Sequence, residues 1–101
     1  MTTNKLSGLL GICRRAGHLF VGFDAVSGLV ADGRAKQILL ACDLSEKTAK
    51  ELRFLAEKRQ TPLAVIPTDK EALGALLGLQ KPVGVIATDD GGFAAAMQKY
   101  I

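Results

Sequence analysis

The stretch Gln37-Ile38-Leu39-Leu40-Ala41-Cys42 (QILLAC) is a continuous apolar run of strand length. A strand exposed on one face alternates apolar and polar side chains, whereas one covered on both faces stays apolar throughout. The run therefore reads as the centre of a sheet with helices above and below it.

Working outward, apolar residues recur at helical spacing on either side. Upstream, Leu6, Leu9, Leu10 and Cys13 predict a helix from Thr3, its expected N-cap, to Ala16, stopped by Gly17. His18 to Val21 is a short strand, and Asp24 to Asp32 a second helix with Val26, Leu29 and Val30 inward and Gly33 as terminator. Downstream, Ser45 caps a third helix whose Leu52, Leu55 and Ala56 face in and whose charges face water. Leu63 to Ile66 is a strand closed by Pro67. Thr68-Asp69-Lys70-Glu71 has the pattern of a capping box with Thr68 as the cap, ahead of a helix with Leu73, Leu76 and Leu77 inward. Val83 to Thr88 is a fourth strand and Asp89 to Tyr100 a last helix. Helices alternating with short strands predict a three-layer α/β/α sandwich around a four-stranded sheet.

The 101 residues, 49% hydrophobic and 23% charged, suit one domain spanning 1–101. No run of about eighteen apolar residues suggests a membrane span, and the N-terminus lacks the form of a signal peptide, so a cytoplasmic protein is expected. Cys13 and Cys42 lie far apart in apolar patterns without metal-ligand spacing, which predicts buried, reduced thiols and no metal. The net charge of +3 comes from the segment up to Lys36, a pointer to a polyanion.

Catalytic chemistry finds no convergent set. Asp89-Asp90 sits at a helix start, where carboxylates serve the helix dipole, and His18 has no tuning neighbour in the sequence. Asp90-Gly91-Gly92 matches neither GxxxxGK[ST] nor GxGxxG. Few aromatics are present, and no strand alternates them as a base-stacking platform would. No cofactor is expected.

Three segments, LLGICRRAGHLFVGFDAV, DGRAKQILLACDLSEKTAKEL and TDKEALGALLGLQKPVGVIATDDGGFA, resemble the ribosomal protein L7Ae/L30e family, in particular its small bacterial YlxQ-like branch. The resemblance covers nearly the whole chain. It is most specific at Gly33-Arg34-Ala35-Lys36, at Ala41-Cys42-Asp43 and at Gly78-Leu79-Gln80-Lys81-Pro82-Val83. It implies an L30e-like α/β/α sandwich with a mixed sheet and a non-catalytic role in binding structured RNA, ribosomal RNA among the candidates. Many relatives bind a kink-turn, a sharply bent RNA helix, through three loops at one end of the sandwich.

On this sequence those loops are Gly22 to Gly28, Ala41 to Leu44 and Leu79 to Val83. The residues carried over as RNA contacts are Gly22, Phe23, Asp24, Ala25, Gly28, Cys42, Asp43, Lys81, Pro82 and Val83. Arg34 and Lys36 are expected to add phosphate contacts beside them, with Arg14 and Arg15 ranking lower. The first loop departs from the kink-turn pattern Gly-x-Asn-Glu-x-x-Lys: after Gly22 it holds Asp24, Ala25 and Gly28. This implies weakened or altered kink-turn recognition. The alternative is a protein-interaction adaptor on the same fold, which an exposed Phe23 in an apolar patch would favour.

Overall fold

The computed structural model describes residues 2–101, with side chains described from Lys5 onward. The helices and strands follow one another as α1 (Thr2–Arg15), β1 (Leu19–Val21), α2 (Phe23–Ala31), β2 (Gln37–Leu40), α3 (Glu46–Arg59), β3 (Leu63–Val65), α4 (Lys70–Leu76), β4 (Val85–Thr88) and α5 (Gly91–Gln98). The expected capping role of Thr3 falls on a side chain outside those described.

The four strands form one mixed sheet in the order β1-β4-β2-β3. β4 runs antiparallel to both β1 and β2, and β2 and β3 are parallel. Gln37–Leu40 is buried at every position, as a strand covered on both faces must be. Successive side chains alternate between the two faces. Leu39, Ala41 and Ile86 join Leu6, Leu10 and Cys13 of α1, Leu73 of α4 and Met97 of α5 in one core. Ile38, Leu40, Val85 and Ala87 join Val26, Leu29 and Val30 of α2 and Leu52 and Ala56 of α3 in the other. The result is the expected α/β/α sandwich.

Several local expectations are corrected. β2 ends at Leu40, so Cys42 lies in the following turn and is exposed rather than buried; its thiol donates to the Pro67 carbonyl at 3.6 Å. β4 begins at Val85, two residues later than expected. The cap of α4 is Asp69, whose carboxylate accepts from Ala72 N–H at 2.8 Å. Thr68 is instead buried, and its carbonyl accepts from Cys42 N–H at 3.0 Å. Asp69, one residue nearer the helix, is placed to reach the free N–H groups, while Thr68 closes the turn after β2. Ser45 does cap α3, accepting from Thr48 N–H at 3.3 Å.

Among the described residues no helix is long and apolar enough to cross a membrane. Among them, too, no group of three or more His, Cys, Asp or Glu is placed to hold a metal ion.

Candidate nucleic-acid interface

Strand direction brings the three expected loops together. β1 and β2 both run antiparallel to β4, so their C-terminal ends meet the start of β4 at one edge of the sandwich. Two backbone hydrogen bonds of 2.9 Å stitch this end, from Gly22 N–H to Val85 C=O and from Ala41 N–H to Gly84 C=O. Around them lies a hollow of about 290 Å³, walled by Gly22 and Phe23, by Leu44 and Thr48, and by Lys70 and Lys81 to Gly84. Among the described residues Lys70 and Lys81 are the charged ones of that wall, and no carboxylate lines it.

Each wall has a local cause. Gly22 is the N-cap of α2 at φ +96°, a left-handed conformation that a side chain would strain. Among the described residues no side chain caps this helix, so its first N–H groups are left to solvent or a ligand. Asp24, in the first turn, complements the helix dipole without capping. Asp24, Ala25 and Gly28 are all exposed on α2, and a side chain built at Gly28 would meet open space. In the second loop Asp43 accepts from Lys70 N–H at 2.8 Å, tying the loop to the start of α4. The third loop lies flat on α4: Val83 N–H donates to Lys70 C=O and Leu79 N–H to Gly74 C=O. A Cβ at Gly74 would fall 1.9 Å from the Lys81 carbonyl, so only glycine permits this approach.

Not every expected contact belongs to this surface. Lys81 and Pro82 are exposed at it, but Val83 is 3% exposed and its side chain is part of the core. Phe23 is half-buried against the α2–α3 core. Arg34 and Lys36 are at the other end of the sheet, because they precede β2 whereas the second loop follows it. Lys36 N–H donates to Thr88 C=O at 2.8 Å, and Arg34 Nη2 lies 3.3 Å from Asp89 Oδ2. Asp89 also meets His18 Nδ1 at 2.8 Å, a partner 71 residues away that no sequence neighbour reveals. The His18 ring lies beside Phe93, 6.1 Å between centroids. Arg14 donates to the Leu77 carbonyl at the end of α4. Lys70 and Thr48 are among the wall residues that sequence reading missed; in the sequence Lys70 is only part of a helix-start pattern and Thr48 lies on the third helix, and only the crossing of the chain brings them to the loops.

Residues 4–98 match the model of the Ribosomal protein L7Ae/L30e/S12e/Gadd45 family. The chain is 34% identical over 83 residues to the RNA-binding protein YlxQ of Bacillus subtilis (strain 168), covering 82% of each chain. It is 28% identical over 97 residues to the RNA-binding protein YlxQ of Enterococcus faecium, covering 96% of this chain and 91% of that one. Among solved structures, a protein with unknown function from Bacillus halodurans C superposes with a TM-score of 0.87 at 29% identity, covering 95% of both chains. The Giardia lamblia 15.5kD RNA binding protein shares the fold with a TM-score of 0.79 at 17% identity, over 99% of this chain and 90% of that one.

Proposed function

Because the chain belongs to the ribosomal protein L7Ae/L30e/S12e/Gadd45 family, we propose that it is a non-catalytic, cytoplasmic protein that binds structured RNA, ribosomal RNA included, through the three-loop end of its sandwich. The observation that carries this reading is the hollow where the loops converge, with Lys70 and Lys81 in its wall and no carboxylate. An uncapped helix N-terminus beside it adds backbone donors and partial positive charge for phosphates. RNA is recognised mainly by shape and at irregular, unstacked bases, which a concave loop end can accept. The RNA-binding names of the bacterial relatives support the same reading. Against the adaptor alternative stands Phe23, half-buried on its own core rather than presented to a partner.

The same reading assigns altered kink-turn recognition. Asp24 lacks the donor of an asparagine amide, Ala25 cannot accept from a base edge, and Gly28 reaches nothing. A hydrogen bond to a charged group is worth about 1.5–3 kcal/mol, so losing such contacts weakens binding by orders of magnitude. The triple change Asp24→Asn, Ala25→Glu and Gly28→Lys is expected to raise kink-turn affinity markedly. Unchanged affinity in that variant would place the divergence in the other two loops as well.

The test of the proposal is a titration with structured RNA at several salt concentrations. Lys81→Ala and Lys70→Ala should each weaken binding and lower the log–log salt slope by about one. Arg34→Ala and Lys36→Ala should do far less, since they sit at the opposite end. If the protein bound structured RNA no better than heparin at low salt, the proposal would be abandoned.

A further inference from the structure

Leu44 walls a second hollow on its other side. This cleft of about 230 Å³ lies between the first half of α3 and the C-terminal ends of β2 and β3. Leu40, Leu44 and Val65 give it an apolar floor, and Lys50 and Arg53 stand on its rim. Glu46, the carboxylate in its lining, is in the first turn of α3, where the helix's own positive end offsets it. Phe54 follows Arg53 and is 65% exposed, with Lys58 Nζ 5.7 Å from its ring centroid. Lys50, Phe54 and Lys58 are spaced four residues apart and so share one face of α3, about 6 Å between successive positions along the axis.

A lone exposed aromatic is ordinary. Here, however, the ring is flanked by cations on its own helix face, and two of its helix neighbours, Lys50 one turn before it and Arg53 beside it in sequence, line a base-sized cleft with an apolar floor. Sites for single-stranded nucleic acid combine these parts: a basic groove for the backbone and an aromatic face on which a base stacks. We propose that this track carries an unpaired RNA strand leaving the loop end. One base enters the cleft over Leu44 and Val65, the next stacks on Phe54, and their phosphates meet Lys50, Arg53 and Lys58. The inference rests on the RNA reading above and names a feature of the RNA that the protein selects. Continuity favours RNA over a peptide, because Leu44 is common to the cleft and to the loop-end hollow. A peptide adding to the free edge of β3 would find a strand of three residues bracketed by Pro62 and Pro67, which limits pairing.

The test compares a kink-turn hairpin with the same hairpin bearing an unpaired oligouridine tail of roughly six nucleotides at either end, within the site sizes usual for such grooves. A tail at one end should tighten binding about tenfold, the scale of one stacked base. Phe54→Ala and Arg53→Ala should each remove that gain and leave the untailed hairpin bound as before. In parallel, the tailed RNA should protect the exposed Cys42 thiol at the cleft from iodoacetamide. If the untailed hairpin binds and neither tail adds affinity, this inference fails while the RNA reading stands. Absence of binding to all of these RNAs at low salt, together with binding of other structured RNA no better than heparin, overturns both. Equal protection of Cys42 by a polyglutamate peptide would assign the cleft to acidic peptides and overturn the inference alone.

Discussion

The two thiols show how strongly surroundings outweigh residue type. Cys13 is buried in α1 and donates to the Thr88 hydroxyl at 3.6 Å. Burial pushes its pKa up from the ordinary 9.0; the Thr88 hydrogen bond opposes this, and the Asp89 and Asp90 carboxylates reinforce it. The folded state therefore holds this proton more tightly than the unfolded chain does. Stability should fall as pH rises past 9.0, where the unfolded thiol ionises, as denaturant midpoints would show. Cys42, in the turn after β2, is open to reagent. Iodoacetamide at neutral pH should label Cys42 alone in the folded protein and both thiols after denaturation, as read by mass spectrometry. The sequence placed both in apolar patterns, and for Cys42 the pattern misled because the strand stops two residues before it.

Helix α4 is the element that holds the candidate interface in shape. Its first N–H is bound by Asp43 from the second loop, and the third loop rests on its backbone at Lys70 and Gly74. Gly74→Ala would force the Lys81 carbonyl away from a Cβ otherwise 1.9 Å distant. Overpacking of this kind costs about 1–3 kcal/mol. A lower urea midpoint together with weaker RNA binding is expected, since Lys81 moves with its carbonyl. Asp43→Ala removes a cap-like acceptor and should cost about 1 kcal/mol. Gly84→Ala should be milder, because the contact it creates is with the flexible Leu44 Cδ1, at 2.6 Å, rather than with backbone. Equal losses in the Gly74 and Gly84 variants would count against this account of the third loop.

For the whole molecule, two apolar cores share one sheet, with a Cα radius of gyration of 12.1 Å, close to the ~13 Å usual for about 100 residues. Because β2 and β4 contribute side chains to both cores, loss of either should unfold the other. A single transition, coincident by far-UV circular dichroism and Tyr100 fluorescence, is expected; separate midpoints would show that the faces melt independently. At this scale the limit of sequence reading becomes plain. Apolar patterning and helix start and stop signals assigned the helices, the strands, a buried central strand from Gln37 to Cys42 that in fact ends at Leu40, and the inward residues of α2, since which side chains a helix or strand buries is a local property of its repeat. They could not assign ends. Whether Arg34 lies beside Gly22 or across the sheet from it depends on β2 running antiparallel to β4 and on β4 lying between β1 and β2. Those pairings join residues as far apart as Leu19 and Thr88. The sequence by itself determined the layers, and its resemblance to the family pointed to the loops that form the candidate interface. Only the tertiary structure decided which charges stand there, because strand order and direction come from packing between distant segments and leave no periodic trace along the chain.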